Sequence, residues 1–374
     1  MDIGLIWERL RMSKEWSNPF NSFNSMKSLL YGDYFKAVFD KKFLSPLEAS
    51  LDPIHSCNLM CQHCNAHRYL TKEKNRMTDE HLMNLIRFLG KWGVKAICFG
   101  GGGEPTLHSQ LHLALYLTKE MGMESSIATN GTLFTPQLIE AMAECCRWVG
   151  ISVDAANGKT YQMGRNKNLF LQTLVNIKNL LKEIKKTKSK CEVAYKFLIM
   201  PHNQYEIYDA CLVAKDLGVR DFHARPADFR HQGMGELKRK NNEYNIFAIK
   251  EQFERCHKLE TDDFRVFTVM HKFTKDFTPR KDFNQCYAAP LVIQLCADGN
   301  VYFCVDQRHQ PKYILGTHYP NPENILKFWG GKKHKALVFG NTPKKCKTRC
   351  TFGFYNKIAE EVFMDKDPFC KNFI

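Results

Sequence analysis

From residue 48 to residue 226, short apolar runs alternate with longer stretches whose apolar positions recur every three or four residues. The first pattern is that of a buried or half-buried strand, the second that of an amphipathic helix. EASLDPIHS (48–56) alternates like a strand, and TDEHLMNLIRFLGKWG (78–93) has an acidic start, helical periodicity and a terminal glycine. VKAICFG (94–100), MESSIATN (123–130), RWVGISVD (147–154), CEVAYKFLIM (191–200) and VRDFHARP (219–226) continue the strands. HSQLHLALYLTKEMG (108–122), TPQLIEAMAECC (135–146), NLFLQTLVNIKNLLKEIKK (168–186) and NQYEIYDACLVAKDLG (203–218) are the helices between them. Six strands alternating with helices predict an α/β fold, a parallel sheet curled into a partial (β/α)6 barrel. The glycine-, cysteine- and carboxylate-bearing loops at 57–64, 100–105, 129–131 and 154–165 each follow a strand. They therefore share the carboxyl ends of the strands, where such folds build their sites.

The flanks read differently. Residues 1–48 predict a helical extension with an aromatic-rich LLYGDYFKAVFDKKF, and 49–227 form the barrel. Residues 228–285 predict a basic, largely helical linker, and 286–374 a small cysteine-rich domain. Apolar and aromatic contents of 44% and 12% suffice for a packed core. The first apolar stretch carries charges and is followed by no small-residue cleavage site, so no signal peptide is expected. No run approaches the roughly 18 apolar residues of a membrane helix. The expectation is a cytoplasmic protein, in whose reducing surroundings fifteen cysteines point to metal binding before disulfides.

The charge, 54 − 39 = +15, fits a lysine-rich composition or an anionic substrate such as a phosphorylated sugar, a nucleotide or a nucleic acid. The lysines are scattered and not interleaved with aromatics, which argues against a single-strand-binding surface.

The most specific stretch is SCNLMCQHCNA (56–66), which puts Cys57, Cys61 and Cys64 within eight positions. A structural zinc site takes four closed ligands and a disulfide takes cysteines in pairs. Three thiols on one loop leave a coordination position open.

This CxxxCxxC spacing, with His63 before the last cysteine, resembles the signature of the radical S-adenosylmethionine (radical SAM) superfamily, over about residues 50–225. The resemblance implies that the three thiolates hold three irons of a 4Fe-4S cluster and that the fourth iron is left for S-adenosylmethionine. In FGGGGEPTL (99–107), Gly102, Gly103 and Glu104 match the family segment that holds the cofactor's amino group. Glycines allow close backbone approach and a carboxylate suits an ammonium. Thr129 and Asn130 in ATNGTL match a segment near the ribose, and Ser152 and Asp154 the next strand end. Arg165 is the expected partner of the cofactor carboxylate, with Arg225 as the alternative.

The C-terminal cysteines resemble the auxiliary-cluster extensions of the family, SPASM and its shortened form Twitch. Six cysteines stand there, Cys286, Cys296, Cys304, Cys346, Cys350 and Cys370, against seven in a full two-cluster SPASM domain. The resemblance therefore implies one auxiliary 4Fe-4S cluster on Cys286, Cys304, Cys346 and Cys350. Cys296 and Cys370 are spares, and Cys370 could replace Cys346 or Cys350. Cys98, Cys145, Cys146, Cys191, Cys211 and Cys256 read as core filler, and no hydrogen-donating cysteine is selected.

The implied enzyme cleaves S-adenosylmethionine reductively to a 5′-deoxyadenosyl radical, which abstracts hydrogen from a substrate C–H bond. The expected outcome is net oxidation (a dehydrogenase) or epimerisation of a small polar, anionic, sugar- or nucleotide-like molecule. A flavodoxin or ferredoxin would supply electrons. The alternative is maturation of a ribosomal peptide or protein, for which the stretch before the first strand looks short. A non-enzymatic metal- or nucleic-acid-binding module is more remote, because Gly102–Glu104 sits on the right loop for the cofactor.

Overall fold

The structure, a computed structural model, describes residues 25–66, 70, 75–227, 244–269, 281–340, 342–346 and 350–364. Ten strands form one sheet: β1 (Glu48–Asp52), β2 (Ala96–Phe99), β3 (Glu124–Thr129), β4 (Cys146–Ser152), β5 (Glu192–Ile199), β6 (Asp221–Pro226), β7 (Arg265–Thr268), β8 (Val292–Cys296), β9 (Asn300–Tyr302) and β10 (Ile314–Thr317). Their order is β10-β9-β8-β1-β2-β3-β4-β5-β6-β7, parallel from β8 through β7, with β9 and β10 added antiparallel. The six expected strands are the centre of this sheet, the parallel frame of a partial barrel.

The helices up to residue 257 among the described residues are α1 (Gly32–Phe39), α2 (Asp79–Trp92), α3 (Leu111–Glu120), α4 (Pro136–Cys145), α5 (Gly158–Arg165), α6 (Phe170–Thr187), α7 (Ile207–Leu217) and α8 (Ile246–His257), and shorter ones, with Lys332–Phe339, follow in the C-terminal region. Local chemistry sets their ends. The Thr78 hydroxyl accepts the His81 N–H at 3.2 Å to start α2, Asp79 and Glu80 occupy its first turn, and Gly93 at φ +98° ends it. Thr135 and Asn157 cap α4 and α5 in the same way.

Successive strand residues point to opposite faces. Ile97, Phe99, Ile127, Val149, Ile151, Tyr195, Phe197 and Phe222 are fully buried on the outer face, in the core they share with the helices. Their neighbours Ser50, Cys98, Ser126, Trp148, Ser152, Lys196, His223 and Arg225 face the barrel interior.

Two edges of the sheet go beyond the six-strand expectation. Within 228–285, read as a largely helical linker, the described part supplies α8 and also β7. Arg265 of β7 is paired to Asp221 (2.6 Å) and Glu192 (2.6 Å), which pins β7 to its neighbour β6 and to β5 beyond it. At the other edge β8 lies parallel to β1, from Glu48↔Val292 to Asp52↔Cys296, so the C-terminal region continues the barrel sheet. Cys370, His67 and residues 1–24 lie outside the described residues. Among the described residues, no helix is long and apolar enough to cross a membrane.

Candidate active site

The chain leaves β1 into the cysteine loop, and the loop after β2 closes directly on it. The Glu104 N–H donates to the Ser56 carbonyl at 2.9 Å. A Cβ on Gly103 would lie 2.5 Å from the carbonyl oxygens of Ile54 and Ser56, and one on Gly102 would lie 2.7 Å from Asp52 Oδ2. The sequence suggested that these glycines let the backbone approach a ligand. The space a side chain would need is filled by the chain's own β1 loop, so the two glycines let two protein segments meet.

Glu104 is buried at the centre of this contact. Its Oε1 accepts from the Thr106 N–H (3.2 Å) and the hydroxyls of Thr106 (2.8 Å) and Thr129 (2.5 Å). Its Oε2 accepts from the Asn130 N–H (2.7 Å). Burial raises its pKa above the ordinary carboxylate range, and the donors on Thr129, Asn130 and Thr106 oppose that rise. A carboxylate offers about four lone-pair sites, so Oε2, with one donor, keeps room for another.

Thr129 and Asn130 are thus tied into the protein. The Asn130 amide donates to Asn58 Oδ1 (2.8 Å) and lies 3.9 Å from Cys57 Sγ, while its carbonyl oxygen accepts from Thr132. Asn58 donates to the Thr132 hydroxyl at 2.8 Å. Sequence reasoning missed Asn58 and Thr132. The one available signal was that Asn58 follows the first cysteine of the motif.

Asp154 sits just past β4 at φ +59°, a conformation that Asp tolerates better than most residues. Its Oδ2 pairs with Arg165, the last residue of α5, and lies 3.1 Å from His63 Nε2. Its Oδ1 accepts the Leu198 N–H at 2.7 Å. Burial would raise the Asp154 pKa, but Arg165 and His63 outweigh it and hold the carboxyl at about 2. Arg165 also reaches Cys61 Sγ at 3.5 Å and the Val153 carbonyl at 3.2 Å. Asp154 is therefore the hub that aims the arginine and the motif histidine at the cysteine loop. Ser152 lies half-buried at the end of β4, opposite Lys196.

The three thiols share one small space, in which the charge of Cys61 opposes ionisation of Cys57, and both oppose that of Cys64. Burial first, then the Glu104 carboxylate, pushes Cys57 up to about 11, and burial carries Cys64 to about 12. Such thiols ionise when a metal supplies the compensating charge.

A second thiol group forms under the C-terminal region. Burial pushes Cys286 up to about 12, with the Cys346 charge adding to it. Cys304 feels Cys350 and Cys286, and Cys350 feels Cys286 and Cys346. Each of the four expected auxiliary ligands is thus within electrostatic reach of at least two others. Gln307 Nε2 lies 2.9 Å from Cys346 Sγ, and the Asp306 N–H lies 3.5 Å from Cys304 Sγ. The Asp306 carboxylate holds the Thr351 N–H (2.6 Å) beside Cys350. Cys296 stands apart, 3.5 Å from Asp52.

The barrel interior is basic and partly aromatic. Lys196 Nζ sits 4.3 Å from the centroid of the Trp148 ring, and the register places Lys196 beside His223 and Leu198 beside Arg225. Cys98 faces the same interior, between Ser50 and Ser126. It is therefore not core filler of the outer face.

Residues 51–224 match the model of the Radical SAM superfamily. The chain is 34% identical over 141 residues to an S-adenosylmethionine-dependent nucleotide dehydratase of Thermoplasmatales archaeon, covering 37% of this chain and 49% of that protein. It is 28% identical over 187 residues to the antilisterial bacteriocin subtilosin biosynthesis protein AlbA of Bacillus subtilis, covering 48% and 39%. The chain thus spans half or less of the length of these curated relatives. In fold it is similar to Streptococcus suis SuiB bound to S-adenosylmethionine, with a TM-score of 0.63 at 14% identity over 96% of this chain and 84% of that one. With the cysteine motif on the loop that follows β1 of a parallel sheet, residues 51–224 of the chain match the radical SAM superfamily, and the fold around them is similar to that of SuiB.

Proposed function

We propose that Cys57, Cys61 and Cys64 hold a 4Fe-4S cluster with one open position for S-adenosylmethionine, and that Cys286, Cys304, Cys346 and Cys350 close a second cluster. The donor sets support this reading, because soft thiolates suit iron–sulfur clusters and three ligands differ from four in leaving a vacancy. Bound together, the first cluster and S-adenosylmethionine supply a 5′-deoxyadenosyl radical able to take hydrogen from an unactivated C–H bond. Around them the chain's residues orient and shield. Glu104 Oε2 offers the remaining acceptor to the cofactor ammonium, and Arg165, fixed by Asp154, offers its guanidinium edge to the carboxylate. The side chains of Thr129 and Asn130 act through the walls of the pocket, since both are engaged within the protein, and Ser152 lines it.

Glu104→Ala is expected to weaken S-adenosylmethionine binding about ten- to a hundred-fold, the worth of roughly 1.5–3 kcal/mol for a charged hydrogen bond, with iron content unchanged. Calorimetric titration against the wild type measures it, and an unaltered dissociation constant places the ammonium elsewhere.

For the substrate, the single observation that carries the reading is the inner face of the barrel, where Lys196 lies over the Trp148 ring and His223 and Arg225 stand on the neighbouring strand β6. We infer a small anionic molecule with a flat or sugar-like body, of the nucleotide or phosphosugar class, handled in a reducing compartment with electrons from a flavodoxin or ferredoxin. The similarity to a nucleotide dehydratase points the same way. The similarity to AlbA supports a second reading, maturation of a ribosomal peptide. Four thiols leave no open ligand position at the C-terminal site, which suits electron transfer and favours net oxidation over epimerisation.

Turnover in heavy water separates the outcomes. Oxidation gives a product two mass units lighter than the substrate with one S-adenosylmethionine consumed per product. A product one mass unit heavier than the substrate, carrying one deuterium that is lost again in Cys98→Ala, would establish epimerisation instead.

A further inference from the structure

We propose that Asp52, His55, Cys296 and His309 form a site for one zinc-class divalent cation, separate from both thiol groups, that fastens the C-terminal region to the barrel. One ligand atom from each of the four lies within 4.8 Å of all the others. A tetrahedral zinc site, with bonds of about 2.0–2.3 Å, has ligand–ligand edges of roughly 3.3–3.8 Å, so a small contraction closes the set. Asp52, His55 and Cys296 are fully buried. Asp52 ends β1 and Cys296 ends β8, held opposite each other by the parallel register.

The polar balance supports a cation there. Asp52 Oδ2 faces Arg308 Nη1 at 3.1 Å and Cys296 Sγ at 3.5 Å. Its Oδ1 is buried with no hydrogen-bond partner, as is Gln294 Oε1. Burying a bare carboxylate oxygen is costly, and such atoms ordinarily find a donor, a water or an ion. With Cys296 as thiolate, the four ligands carry two negative charges. The nearby Arg308 and Asp298 offset each other, so a dication completes neutrality.

The surroundings also match a metal's outer shell. Asp298 Oδ2 lies 3.7 Å from His309 Nδ1 and accepts the Tyr302 hydroxyl at 2.6 Å. At that distance the carboxylate acts on Nδ1 through its charge and not through a hydrogen bond, and the other nitrogen, Nε2, is left for the ion. The His55 and His309 rings approach with centroids 4.4 Å apart at 71°, a crossing that lets both present a nitrogen to one point. A Cβ on Gly101 would lie 2.7 Å from Asp52 Oδ1, and one on Gly102 would lie 2.9 Å from His55 Cδ2, so this glycine pair leaves room for the ligands. One thiolate, two imidazoles and a carboxylate, all enclosed, favour zinc over an iron–sulfur cluster or a hard oxygen-binding ion.

The test is metal analysis and zinc-edge X-ray absorption on the full chain, reconstituted anaerobically with iron and sulfide and then passed over a chelating resin. The expected result is one zinc per chain, with one sulfur neighbour at about 2.3 Å and nitrogen or oxygen neighbours at about 2.0–2.1 Å. Zinc should persist in the Cys57/Cys61/Cys64→Ala chain and fall at least ten-fold in His309→Ala. In Cys296→Ser, which keeps the shape of the side chain if His309→Ala fails to fold, the sulfur neighbour should vanish. The proposal is overturned by wild-type protein without stoichiometric zinc, or by a shell of three or four sulfurs, which would put zinc in a thiol group. Zinc or sulfur signals indifferent to both single substitutions overturn it equally.

Discussion

Replacing Cys57, Cys61 and Cys64 together with alanine is expected to remove about four of about eight bound irons and to abolish 5′-deoxyadenosine formation. The remaining irons should persist, because the other four thiols form a separate group anchored by Gln307, Asp306 and the core around Cys286 and Cys304. The fold should persist too. The three motif cysteines are half-buried loop residues outside the hydrophobic core, so their truncation leaves no large cavity there. Iron analysis and chromatography of the reaction mixture after reduction check both halves. A variant that still cleaves S-adenosylmethionine would show that the motif has another purpose.

The second large effect concerns Asp154. Asp154→Asn is expected to destabilise the chain by about 3–5 kcal/mol at neutral pH, the usual cost of leaving one partner of a buried ion pair uncompensated. Asparagine can still accept the Leu198 N–H, so the loss isolates the charge that faces Arg165 and the contact with His63. The sign of the pH dependence follows from the depressed carboxyl, at about 2 against an ordinary 3.8. A group held low in the folded state stabilises it fully above its ordinary value and loses that contribution as pH falls through the folded one. The stability gap between wild type and variant should therefore be full at pH 5 and above and shrink between about pH 4 and pH 2. Unfolding midpoints of both chains across that range measure it. A gap that stays constant with pH would assign the effect to packing alone.

The sequence by itself determined the six parallel strands, most of the helix ends and the thiol motif. These are local: strand period, capping residues and spacing are written in neighbouring positions, and the backbone has little freedom to read them otherwise. The four auxiliary thiols were legible only through resemblance, since Cys286 and Cys350 are far apart in the chain and nothing local says they meet.

Tertiary structure decided the rest. β7 and β8 are short runs whose pairing with β6 and β1 depends on non-local register and on the Arg265 ion pairs, which no window of sequence shows. Gly102 and Gly103 were visible as glycines, but what fills the space beside them, the carbonyls of 54–56 and Asp52, is fixed only when two loops close. Cys98 and Cys296 looked like any buried cysteine. Their facing, one into the barrel interior and one toward Asp52, follows from strand parity and from which strands are neighbours. Asp154 was found as a residue at a strand end, whereas its hold on Arg165, His63 and Leu198 needed three separate segments to converge on one carboxylate.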